Sequence, residues 1–94
     1  MALETTIFSF KISVPFEQWA AVYYSEENKQ LLKEEKILCL YRGIKKEDPN
    51  SAVVIEEAEE GKSIAIFSNL EVRPFIEEAG HIYDSTVITS YLRS

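Results

Sequence analysis

ILCLYRGIKKEDPNSAVVIEEA, residues 37–58, decides the fold of this 94-residue chain. Two runs rich in apolar residues, Ile37 to Lys46 and Ala52 to Ala58, lie on either side of Asp48-Pro49-Asn50-Ser51. Proline fixes φ, and Asp and Asn supply local hydrogen bonds, so the tetrapeptide reads as a turn. The two runs then read as strands of an antiparallel hairpin.

Outward from the hairpin, each side carries a helical pattern and then a strand. Upstream, Phe16, Trp19, Ala20 and Tyr23 make one apolar stripe, and Leu31 and Leu32 resume it. Phe16 to Glu35 is therefore helix, in one or two pieces. Ser25 is placed as a new N-cap, with Glu26 and Glu27 in the first turn where the helix dipole favours anions. Before it, Glu4 to Ser13 alternates, with Phe8, Phe10 and Ile12 on one face. Downstream, Lys62 to Ala79 is a second helix, kinked or restarted at Pro74 and ended by Gly80 in a left-handed cap. His81 to Leu92, rich in Ile, Tyr, Thr and Val, is the last strand. The order βαββαβ is the ferredoxin-like arrangement. Right-handed crossovers put both helices on one face of a four-stranded antiparallel sheet. At this length the chain, residues 1–94, is a single α+β domain.

Composition limits what such a domain does. Hydrophobic residues make up 46% and charged residues 28%, a globular mixture, while a domain this small has a modest core. Cys39 is the only cysteine and His81 the only histidine, so an intrachain disulfide is excluded and a structural zinc site lacks ligands. The net charge of −6 repels phosphate backbones and anionic membranes, which argues against nucleic-acid and membrane partners. No signal peptide or membrane-length apolar run is present, and one free cysteine suits the cytosol.

The sheet face without helices carries the most useful hint. In the last strand His81, Tyr83, Ser85, Val87, Thr89 and Tyr91 oppose Ile82, Asp84, Thr86, Ile88, Ser90 and Leu92. In the second, Leu38, Leu40, Arg42 and Ile44 oppose Ile37, Cys39, Tyr41 and Gly43. Both faces of both strands hold large apolar groups, and which set lies under the helices stays open. A greasy open face marks an interface or a ligand site, which leads to the expectation of a two-fold homodimer packed sheet against sheet.

Several stretches also carry a family resemblance. Thr6-Ile7-Phe8-Ser9-Phe10-Lys11, Phe16-Glu17-Gln18-Trp19, Ser25-Glu26-Glu27-Asn28-Lys29, Leu40-Tyr41-Arg42-Gly43, Lys46-Glu47-Asp48-Pro49 and Gly80-His81-Ile82-Tyr83-Asp84-Ser85-Thr86 resemble a family of short uncharacterised proteins found largely in cyanobacteria. Members are similar to the dimeric α+β barrel superfamily. That resemblance implies a barrel of two paired sheets, and it implies no particular activity, because this superfamily hosts cofactor-free monooxygenases, haem-degrading enzymes, sensors and stress-associated proteins.

The residues offer few candidates for chemistry. His81 could serve as a general base or haem ligand, or could simply bond helix carbonyls and start the strand. Tyr41, Tyr83 and Tyr91 share parity with Cys39, His81 and Val87 in their own strands; they line a ligand cavity or a dimer interface. Arg42 could hold an anionic ligand or pair with Glu56, Glu57 or Asp84. Adjacent Glu56 and Glu57 point to opposite faces of a strand, so they are not an obvious metal-binding or catalytic pair. Cys39 among apolar neighbours reads as inert, and Phe16 and Trp19 as core. The pocket candidates are His81, Tyr83, Tyr41 and Arg42, with no metal and no cofactor implied. The expected function is a non-enzymatic cytosolic homodimer that binds a small organic ligand or has a stress-related structural role. The alternative is a cofactor-independent monooxygenase or oxidase acting on an apolar substrate.

Overall fold

In β1 (Leu3–Ile12) every second residue, Glu4, Thr6, Phe8, Phe10 and Ile12, is buried, while its neighbours are half-buried or exposed. A strand shows successive side chains to opposite faces, so this alternation assigns the covered face directly. The computed structural model describes residues 2–93. After β1 come α1 (Phe16–Tyr23), α2 (Glu26–Glu34), β2 (Leu38–Lys45), β3 (Asp48–Glu59), α3 (Lys62–Phe67), α4 (Arg73–Glu78) and β4 (His81–Leu92). The sheet order is β2-β3-β1-β4, every neighbouring pair antiparallel, which is the ferredoxin-like topology.

Each expected helix is two short ones. Ser25 starts α2 as its N-cap, its hydroxyl accepting from the Asn28 N–H at 3.3 Å. Pro74 sits in the first turn of α4, where its missing N–H has no intrahelical partner to lose. Gly80 ends this segment at φ +102°, and a Cβ there would collide with the Val14 side chain. Glu4, buried at the other end of the sheet, accepts the Gly61 N–H at 2.8 Å and so ties β1 to the start of α3.

The core lies between the helices and the inner two strands. Phe8, Phe10 and Ile12 of β1 pack with Ala52 and Val54 of β3, Trp19 of α1 and Ala79. Trp19 contacts Phe10, Phe16 and Tyr23 at ring centroid distances of 5.5, 5.5 and 5.2 Å. Large aromatic surfaces of this kind dominate the burial energy of a small domain.

Two expectations are corrected. The hairpin turn is Lys46-Glu47, because Lys45 pairs with Asp48. Asp48-Pro49-Asn50-Ser51 keeps its turn chemistry, with Asp48 accepting from Asn50 N–H and the Ser51 hydroxyl, but it forms an irregularity inside β3. The second correction concerns faces. Cys39 pairs with Glu56 and Tyr41 with Ile55, so two steps along β2 match one along β3. Ser9 pairs with Val87 and Lys11 with Ile82, so two steps along β1 match five along β4. Each bulge inverts the parity of the strand that carries it. Cys39 and Tyr41 therefore face opposite sides, as do Tyr83 and Tyr91, and none of these pairs shares a face as its spacing predicts. In β4 the bulge is held by local bonds: Ser85 Oγ and Thr86 Oγ1 donate to the carbonyls of Ile82 and Tyr83, and Ser85 Oγ accepts the Lys11 N–H at 2.8 Å.

The other sheet face carries no helix. Leu38, Tyr41, Val87 and Tyr91 on it are 58%, 57%, 63% and 60% exposed, flanking half-buried Ile7, Val53 and Ile55. Among the described residues no helix is long and apolar enough to cross a membrane.

Candidate functional site

Breaking both helical segments leaves space above the sheet. A cavity of about 650 Å³ lies there, walled by all four helices and floored by Phe8, Phe10, Val54 and Glu56. Its wall is overwhelmingly apolar, the composition of a site for a small organic molecule. Four polar side chains matter in it: Tyr23, Glu56, Ser63 and His81.

Glu56 occupies an inward position of β3, in the row of Ala52, Val54 and Ala58, and is 8% exposed. The Tyr23 hydroxyl donates to its Oε2 at 2.7 Å. Burial disfavours the charged carboxylate and raises its pKa, against the opposing pull of the Tyr23 bond and of the nearby Ser63 hydroxyl dipole. The same burial, with the Glu56 charge, raises Tyr23 far above the usual phenol range, so Tyr23 stays a donor. Ser63 in α3 is 3% exposed. Its hydroxyl lies close to Glu56 yet completes no hydrogen bond of good geometry. A buried hydroxyl without a partner loses its water and gains nothing in return.

His81 lies under α3 and α4 at the start of β4, 6% exposed. Its ring stacks on Phe10 at 3.7 Å with an interplanar angle of 7°, and Phe67 stands 5.5 Å away. Nε2 is 2.7 Å from Thr86 Oγ1. Thr86 already gives its only proton to the Tyr83 carbonyl, so Nε2 carries the hydrogen and donates it. Burial lowers the His81 pKa from 6.5 to about 4. The ring is neutral at pH 7 and a weak base, poorly matched to proton abstraction near neutrality.

The four sequence candidates do not converge. His81 and Tyr83 share the covered face, their ring centroids 6.2 Å apart with Phe67 stacked on Tyr83. The Tyr83 hydroxyl is committed to the Phe67 carbonyl at 2.6 Å, so it anchors the end of α3. Tyr41 lies on the open face, folded over Gly43. Arg42 is on the covered face but at the far edge strand, its guanidinium 3.9 Å above the Tyr24 ring. Among the described residues it forms no ion pair with an acid: Glu56 bonds Tyr23, Glu57 on the open face pairs with Arg93, and Asp84 approaches Arg73. Tyr91 is on the open face. Tyr41, Arg42 and Tyr91 are thus separated from His81 by strand order and by the two bulges.

Sequence reasoning passed over Glu56, Tyr23 and Ser63 as site residues. One signal was available: an acid placed in the inward row Ala52-Val54-Glu56-Ala58 is a buried carboxylate, and such a group needs a partner. Nothing in the spacing of Tyr23 or Ser63 marks them, because they reach Glu56 from separate helices.

A family model described as "Domain of unknown function (DUF3764)" matches residues 3–93. No curated protein matches the chain. Among solved structures, the chain is similar to SnoaB, a cofactor-independent oxygenase from Streptomyces nogalater, with a TM-score of 0.56 and 11% identity, covering 100% of this chain and 93% of that one. At that identity the likeness shows the fold alone.

Proposed function

We propose a function for this chain, which belongs to the DUF3764 family: it is a non-enzymatic homodimer that holds a small organic ligand between its helices and its sheet. The observation that carries this reading is the cavity of about 650 Å³ with an apolar wall and a few buried polar tips. A domain with a purely structural role would fill that space with side chains, since protein interiors close-pack. The dimer rests on the open face, where Leu38, Tyr41, Val87 and Tyr91 are each more than half exposed around Ile7 and Ile55. Burying such a patch against its two-fold copy removes apolar surface from water at roughly 25 cal/mol per Å². The lone free cysteine suits the cytosol.

Calorimetric titration with naphthalene tests the cavity. Saturable binding is expected in the wild type and loss of it in Val54→Phe, which fills the floor. No binding to the wild type would remove the ligand reading. Sedimentation at micromolar concentration tests the assembly: the mass of two chains is expected, and the mass of one chain in Val87→Glu/Tyr91→Glu. A wild-type mass of one chain would remove the dimer.

A cofactor-independent oxygenase is the second reading, favoured by the fold shared with SnoaB. On this chain the acid–base work would fall to Glu56, whose raised pKa suits it better than the lowered one of His81. Dioxygen uptake with a bound oxidisable aromatic, abolished in Glu56→Gln, would favour this reading. A flat oxygen trace at saturating ligand would favour binding alone.

A further inference from the structure

We infer that the cavity selects a neutral hydroxyl-bearing ligand, a phenol or an alcohol, whose O–H donates to Glu56 while its oxygen accepts from Ser63. This rests on the reading of the cavity as a ligand site and names what that site recognises.

The two groups together call for a neutral head group that both donates and accepts, and a hydroxyl does both from one atom. Both line the cavity and both are more than nine-tenths buried, Glu56 at 8% exposure and Ser63 at 3%. Glu56 as a carboxylate only accepts hydrogen bonds, and Tyr23 supplies one donor to its Oε2. Ser63 offers a proton that finds no acceptor in good geometry. The pair therefore presents unused accepting capacity beside an unused donor. A hydroxyl carries one O–H and two lone pairs, and satisfies both sides at once.

Other head groups fit less well. A carboxylate ligand would bring a second negative charge next to Glu56 in a low-dielectric space, where like charges repel strongly. An ammonium would have to shed its water in an apolar cavity, at large cost even when paired. An ammonium also supplies only donors, and leaves the Ser63 proton without an acceptor. An apolar ligand without a head group leaves both groups as they are. The body of the ligand meets Phe8, Phe10, Trp19 and Phe67, a set of faces suited to a flat ring.

The test compares four probes that share one body: naphthalene, 2-naphthol, 2-naphthoate and 2-naphthylmethylamine, titrated by calorimetry at pH 7. The hydroxyl should bring roughly tenfold tighter binding to 2-naphthol than to naphthalene, as one or two buried hydrogen bonds do. The acid and the amine should bind more weakly than 2-naphthol. Ser63→Ala removes an unpartnered hydroxyl and should cut the advantage of 2-naphthol over naphthalene, both measured on the same variant, several-fold. Naphthalene binding as tightly as 2-naphthol would overturn the inference while leaving the cavity reading standing. So would an amine or an acid that binds best, or a Ser63→Ala variant that keeps the full advantage. Failure of all four probes to bind would overturn the cavity reading and this inference with it.

Discussion

Replacing His81 by Phe should abolish a pH-dependent loss of stability that the wild type shows below neutrality. His81 is 6% exposed, and burial takes its pKa from 6.5 to about 4. In the unfolded chain the imidazole takes up a proton as pH falls through 6.5; in the folded chain it resists until about pH 4. Between those values the unfolded state binds more protons, so stability rises with pH, is fully present above 6.5 and is lost on acidification toward 4. One pKa unit corresponds to about 1.36 kcal/mol, so this residue alone removes about 2 kcal/mol by pH 5 and about 3 kcal/mol by pH 4. Other carboxyls act in the same range. Glu56, with its raised pKa, works in the opposite sense, and Asp48, held near 2 by Lys11, Ser51 and Asn50, works in the same sense at lower pH. The difference between wild type and His81→Phe cancels both. Phe keeps a ring for Phe10 to stack on and loses the bond to Thr86, an offset that does not vary with pH. Urea unfolding, followed through the single Trp19, would be measured for both chains from pH 7.5 to pH 4 at fixed protein concentration. A stability difference between the two that stays constant across this range would refute the buried, neutral assignment of His81.

Gly80→Ala should cost about 3 kcal/mol, combining the strain of a side chain at φ +102° with the collision at Val14. Adding Val14→Ala should recover the steric share, so the two changes are non-additive in urea midpoints; strict additivity would contradict the contact. Tyr23→Phe should lose about 1–3 kcal/mol, because Glu56 keeps its burial and loses its donor. Adding Glu56→Gln should restore part of it, as a neutral amide tolerates burial better; thermal unfolding measures both. Ser63→Ala should leave the unliganded domain as stable or up to about 1 kcal/mol more stable, since the hydroxyl it deletes completes no good bond. A marked loss of melting temperature would show that Ser63 has a structural partner.

The open sheet face and the cavity above the sheet share one cause. A four-stranded sheet with alternating strands has two faces to bury, and the four described helices lie over only one. The helices themselves are too short and too broken to close over that face completely. Seryl capping at Ser25 and Pro74 in the first turn of α4 end or restart each segment after two turns or so. These breaks border the cavity of about 650 Å³ between the helices and the sheet.

Local signals alone determined the order of elements, the antiparallel hairpin, the buried row Phe8-Phe10-Ile12, the N-cap at Ser25 and the left-handed glycine at Gly80. Those signals are periodicity, capping chemistry and turn residues, which act within a few positions of themselves. The faces of β2 and β4 were decided elsewhere. Alternation assigns a side chain to a face only while strand and partner advance together, and one bulge in each edge strand turned Tyr41 and Tyr91 away from the residues they seemed to accompany. Local bonds from Ser85 and Thr86 back to Ile82 and Tyr83 help hold the bulge in β4, but the registers that invert the faces are set by the ladders to β1 and β3, which no window of β2 or β4 contains. The site followed the same logic: Glu56 was legible as an inward acid, but only the packing of α1 and α3 over β3 brought Tyr23 and Ser63 to it.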